Sequence, residues 1–172
     1  MEIPDRRVTN VKTLSAVSIP KRKRDTHKGD YGRILLIGGN ANLGGAIMIA
    51  ARACVYSGGG LITVATHPTN HVALHSRCPE AMVIDINDTK KLTKMIEVSD
   101  CILIGPGLGL DFKGNNAMTF LLQNIQPHHT LIVDGDAISI VSKLKPEIPA
   151  CNVIYTPHQK EWERFCLLYT SD

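Results

Sequence analysis

The chain has 172 residues, enough for one domain around a single core. Hydrophobic residues make up 44% and charged residues 20%, with 14 glycines but only 3 phenylalanines and 1 tryptophan, which excludes a disordered or fibrous chain. A formal net charge of +3, much of it in Lys21-Arg22-Lys23-Arg24, excludes a strongly basic nucleic-acid binder, and that run reads as a solvated strip because no aromatic or further basic stripe accompanies it.

No stretch approaches the roughly 20 uninterrupted apolar residues of a membrane helix, so neither a membrane nor a nucleic acid is expected as a partner. Cys54, Cys78, Cys101, Cys151 and Cys166 lack C-x-x-C spacing. Free thiols in a reducing, cytoplasmic setting fit best.

In chain order, residues 1–30 are polar and mixed in charge, with a short helix expected over 11–17. Ile34-Leu35-Leu36-Ile37 is an unbroken aliphatic run ending at Gly38-Gly39, the pattern of a strand buried on both faces of a parallel sheet. A small-residue helix over 46–55 stops at Ser57-Gly58-Gly59-Gly60, and a strand over 61–65 follows, making a right-handed βαβ unit. The alternation continues with a helix over 70–76, a strand over 81–85, a helix over 89–98 and a strand over 101–104. It closes with a helix over 115–124, a strand over 130–134, a helix over 137–143 and a strand over 152–155. Five or six strands alternating with helices predict a three-layer α/β/α domain on a mostly parallel sheet.

Ligands of such sheets bind beyond the carboxyl ends of the strands. Those ends carry Gly38-Gly39-Asn40, Thr66-His67, Gly105-Pro106-Gly107, Asp134-Gly135-Asp136 and Thr156-Pro157-His158. The span 39–44 has the frame of a P-loop, but Gly45 and Ala46 stand where its Lys and Ser/Thr belong, which excludes a Walker-type NTPase. The turn over 38–45 also fails the dinucleotide pattern G-x-G-x-x-G. It reads either as an anion cradle leading into a helix N-terminus or as glycines needed for a tight turn. Three glycines around Pro106 let backbone approach a ligand. Asp134 and Asp136 suit Mg²⁺ through water or sugar hydroxyls, with helix capping by Asp136 the alternative. His158 could hydrogen-bond a ligand or move a proton, with Glu161 three positions on. His67, His71 and His75 share a helical spacing without a carboxylate partner, so surface or core placement is favoured over a metal site.

In order along the chain, the segment His27-Lys28-Gly29-Asp30-Tyr31-Gly32, the β-run with Gly44-Gly45-Ala46, the Gly105-Pro106-Gly107-Leu108-Gly109 turn, Asp134-Gly135-Asp136-Ala137 and Thr156-Pro157-His158 resemble the NAD(P)H-hydrate dehydratase family. The resemblance implies a ribokinase-like fold and ADP-dependent dehydration of S-NADHX and S-NADPHX back to NADH and NADPH. It implies that Ala46, Gly107 or Gly109, and His158 contact the hydrated nucleotide, with Asn40 and Asp134 nearby. It further implies ADP or ATP with Mg²⁺, and a homotetramer at full length.

The resemblance covers one domain over 1–165. Residues 166–172 depart from it and are read as a non-family, artefactual tail. The family's Lys-Gly segment and its Gly-Thr-Gly-Asp motif, whose Asp is the expected base, do not occur, so the chain is expected to be an inactive fragment without a catalytic residue. Competing readings are a vitamin-precursor kinase of the same fold and a non-enzymatic nucleotide-binding module.

Overall fold

The computed structural model describes residues 21–169; the helix expected over 11–17 and the last three residues of the tail lie outside them. Six strands form one sheet: β1 (Arg33–Ile37), β2 (Leu61–Thr66), β3 (Met82–Asp85), β4 (Cys101–Ile104), β5 (Thr130–Val133) and β6 (Asn152–Tyr155). Their order is β3-β2-β1-β4-β5-β6, and every pairing is parallel. Six α-helices alternate with them: α1 (Gly44–Tyr56), α2 (His71–Arg77), α3 (Thr89–Val98), α4 (Phe112–Asn124), α5 (Asp136–Leu144) and α6 (Gln159–Tyr169). The expected three-layer α/β/α architecture is thus present.

The aliphatic run of β1 explains the sheet's centre. Paired on both sides, β1 sends Leu35 and Ile37 into one core and Leu36 into the other, all three fully buried. Each such side chain contributes about 1.5–3 kcal/mol by leaving water. The first core is closed by Leu92 and Ile96 of α3, Met118 and Leu121 of α4 and four residues of α5, the second by Ile47 and Ala51 of α1 and Leu74 of α2.

Helix starts differ from expectation where a cap decides them. α4 begins at Phe112 rather than 115 because the Asp111 side chain accepts from the Gly114 amide at 3.1 Å, which outweighs the poor helix propensity of Gly114. α1 begins at Gly44 rather than Ala46, and α5 at Asp136 rather than Ala137.

His129, ahead of β5, is fully enclosed, and its Nδ1 accepts from the Gln126 amide at 2.7 Å. Burial first, and then the neighbouring His128, push its imidazole below the ordinary value of 6.5, against smaller opposing pulls from the Ile96 backbone and Asp100. The unfolded chain therefore binds this proton more readily than the folded one. The stabilising contribution is complete above pH 6.5 and is lost as pH falls through the depressed folded value. Urea midpoints should drop between pH 7.5 and 5.5, and His129→Gln should make that drop shallower; an unchanged slope would contradict the assignment.

Candidate functional site

The chain reverses its direction across the sheet between β1 and β4, which opens a crevice at the strands' carboxyl ends. Two glycine turns meet there. The Gly39 amide donates to the Pro106 carbonyl at 2.9 Å and the Asn40 amide to the Gly107 carbonyl at 2.7 Å, while Gly38 donates to Ala65 at 3.1 Å. These three amides are therefore already spent on protein acceptors. The anion cradle expected over 38–45 is corrected accordingly: what remains of it is the first turn of α1, Gly44-Gly45-Ala46, whose N-cap Leu43 offers no side-chain cap.

Asn40 shapes the first turn, its Oδ1 accepting from the amides of Asn42 at 2.8 Å and Leu43 at 2.9 Å. Behind it lies a buried polar pair that the sequence did not single out as functional. Asn70 Nδ2 donates to the carbonyls of Gly39 at 3.0 Å and Asn40 at 3.1 Å and to Thr66 Oγ1 at 3.0 Å, and Thr66 itself donates to Gly39 at 2.8 Å. The signal available was position alone, just past the end of β2. Asn70→Ala strips these donors from an enclosed site and should cost about 1–3 kcal/mol, read as a lowered urea midpoint. An unchanged midpoint would mean that the pair does not hold the turn.

The second turn is tied from the far side. Asp136 Oδ2 accepts from the Gly109 amide at 2.8 Å. Capping by Asp136 is thereby ruled out: Gly135 is the N-cap of α5 and Asp136 the first helical residue. A Cβ on Gly109 would stand 2.9 Å from Asn40 Nδ2, so Asn40, Gly107, Gly109 and Asp136 form one cluster. Asp134 instead reaches the turn that follows β6, accepting from Thr156 Oγ1 at 2.6 Å.

His158 directly precedes α6, and its amide and ring are both engaged by Glu161. Its amide donates to Glu161 Oε2 at 3.0 Å, its Nδ1 accepts from the Glu161 amide at 3.4 Å, and its Nε2 lies 3.2 Å from Glu161 Oε1. The i, i+3 spacing thus serves as a reciprocal helix cap. A ligand binding this imidazole through nitrogen must displace Glu161. Ala46 sits exposed on the first turn of α1. Among the described interactions neither Ala46 nor His158 touches the Asn40–Gly107–Gly109 cluster directly.

The Asp134 and Asp136 carboxylates each accept one protein hydrogen bond, from Thr156 Oγ1 and from the Gly109 amide, and among the described residues no three His, Cys, Asp or Glu side chains converge as a ligand set. Of the three histidines at helical spacing, His67 Nδ1 faces Thr69 and His71 Nε2 faces the Thr66 carbonyl. Burial pushes the thiols of Cys54, Cys78, Cys101 and Cys151 up, which leaves them poor nucleophiles. No helix among the described residues is long and apolar enough to cross a membrane.

A cavity of about 570 Å³ opens beside the first turn, walled by Gly39, Asn40 and Leu108 on one side and by residues of α3 and α4 on the other. Pattern reading missed it, because it forms only when the consecutive helices α3 and α4 pack on the sheet.

A family model described as NAD(P)H-hydrate dehydratase matches residues 34–171. The chain is 80% identical over 154 residues to the ADP-dependent (S)-NAD(P)H-hydrate dehydratase of Staphylococcus aureus, covering 90% of this chain and 56% of that protein. It is 48% identical to the enzyme of that name from Lactiplantibacillus plantarum, covering 86% and 53%. A ribokinase-like superfamily protein from Enterococcus faecalis superposes with a TM-score of 0.84 at 43% identity, over 90% of this chain and 55% of that one. An ADP/ATP-dependent NAD(P)H-hydrate dehydratase from Bacillus subtilis, co-crystallised with ATP/Mg²⁺, follows at 0.70 and 28%, over 86% and 51%. The fold is therefore ribokinase-like, and the chain spans about half the length of the curated relatives it matches.

Proposed function

The chain belongs to the NAD(P)H-hydrate dehydratase family, and from that membership we propose that its paired glycine turns form the nicotinamide-nucleotide side of a repair site. The reaction is the ADP-dependent dehydration of S-NADHX and S-NADPHX to NADH and NADPH. The observation that carries this reading is the ladder from Gly39 to Pro106 and from Asn40 to Gly107, fixed from behind by Asp136. It presents rigid backbone, with little side chain in the way, at the sheet's crevice.

Chemically, the added hydroxyl is a poor leaving group. Phosphorylated by ADP or ATP, it leaves as phosphate, the ring nitrogen's lone pair supplying the push, and loss of a ring proton restores the dihydronicotinamide. Asn40, Gly107 and Gly109 hold the ring and its amide, Ala46 lies against the nucleotide at the α1 N-terminus, and Asp134 keeps Thr156, and through it the approach to His158, in place. His158 binds the nucleotide once Glu161 yields. The base that takes the proton is not among these residues. Mg²⁺ accompanies the adenine nucleotide's phosphates. The enzyme works in the cytoplasm as a homotetramer.

The test is to incubate the protein expressed from the complete reading frame with S-NADHX and either ADP or ATP, following NADH absorbance. Recovery of NADH is expected with at least one nucleotide; none with either would overturn the reading.

A further inference from the structure

The cavity beside Asn40 has a composition unlike the crest formed by the two paired glycine turns. Phe112, at the start of α4, is 76% exposed at its mouth, and Phe120, two turns on, is half-buried in its wall. Lys113 follows Phe112, is exposed, and has no ion pair or hydrogen bond among the described residues. Asn87 and Asn116 add amide groups from opposite walls. An exposed aromatic offers a face on which a base can stack, and an unpaired lysine beside it is a point charge suited to phosphate. The volume of about 570 Å³ lies inside the roughly 300–1,000 Å³ range of small-molecule sites. Asn40 and Gly39 belong both to this wall and to the crest, so one extended ligand can occupy both.

We propose that the cavity between α3 and α4 binds the adenosine half of the nicotinamide nucleotide, Phe112 stacking on the base and Lys113 pairing with the ribose 2′-phosphate. The assignment rests on the proposed function in taking the crest as the nicotinamide end. Its consequence is selectivity: Lys113 favours the 2′-phosphorylated substrate over its NADH counterpart. Phe112 serves both equally, because adenine is common to them. Asn87 and Asn116 supply the donors and acceptors that the base edge requires.

The test uses adenosine 2′,5′-bisphosphate and AMP, which carry this half and no nicotinamide, titrated into the 172-residue chain and followed by amide chemical shifts. Shifts at Asn87, Lys113 and Asn116 are expected for both. Lys113→Ala should weaken the bisphosphate about tenfold and AMP less than about twofold. Phe112→Ala should weaken both by about tenfold, the size expected for a lost base–aromatic stack. Both side chains are exposed, so the variants should keep the native amide spectrum. Absence of fragment binding, shifts elsewhere, or equal loss of both ligands on Lys113→Ala would overturn the proposal. Because the fragments do not reach the crest, fragment binding that behaves as expected while S-NADHX is not repaired would sink the proposed reaction and leave this subsite standing.

Discussion

Gly105→Ala should cost the fold about 2–6 kcal/mol, the sum of backbone strain and overpacking expected when a side chain is forced into a site that has no room for it. Gly105 follows β4 at φ 128°, a conformation that L side chains rarely adopt. A Cβ there would drive into the backbone oxygen of Asp134 and stand 2.9 Å from the Ala137 Cβ. Neither neighbour can retreat. Asp134 continues β5, its amide bonded to Ile104 at 3.0 Å, and Ala137 is fully buried at the start of α5. Total stabilities of about 5–15 kcal/mol leave little margin for such a loss. Gly45→Ala is the control, since a Cβ at Gly45 meets nothing within 4 Å. Lying in the first turn of α1, it should gain about 0.5–1 kcal/mol from helix propensity. Melting curves of the two variants should move in opposite directions; a Gly105→Ala protein as stable as the native one would refute the packing account.

Asp136→Ala should weaken nicotinamide-nucleotide binding by about 10- to 100-fold while leaving the core intact. A hydrogen bond to a charged group is worth about 1.5–3 kcal/mol, and each 1.4 kcal/mol is tenfold in affinity. Asp136 holds the Gly109 amide from α5, and Gly109 stands against Asn40, so its removal frees the second glycine turn where it meets the first. Asp136 is partly exposed, and no core side chain depends on it. Asp136→Asn keeps an acceptor oxygen and should recover part of the affinity. Equal affinity in native protein and Asp136→Ala, measured by titration calorimetry with S-NADPHX, would show that the tie has no part in binding.

The fold was legible because its signals are local. The run Ile34-Leu35-Leu36-Ile37 reads as a doubly buried strand without knowledge of its neighbours, and the Gly58-Gly59-Gly60 stop reads as the end of α1. Helix starts were less legible, since at Asp111 a cap overrode the glycine at 114. The strand-end rule singled out Asn40 and Gly107, while Gly109 and the binding roles of all three came from the family resemblance. The fate of the amides did not follow from that rule: whether Gly39 and Asn40 face a ligand or the protein is decided by Pro106 and Gly107, in the turn after another strand. The Asp134/Asp136 pair was visible as a pair, but its two carboxylates diverge to Thr156 and Gly109, a distinction that spacing does not carry. The Thr66–Asn70 pair and the α3–α4 cavity arise only from packing. His158 and Glu161 showed their spacing in the sequence and their mutual engagement only in the structure.

The central claim is that the meeting point of the two glycine turns receives the hydrated nicotinamide nucleotide. The most direct measurement is a titration of the 172-residue chain with S-NADPHX, followed residue by residue through amide chemical shifts. Saturable shifts at Asn40, Gly107, Gly109 and His158, lost in Asp136→Ala, are the predicted result. Absence of saturable binding, or shifts that spare these four amides, would contradict it.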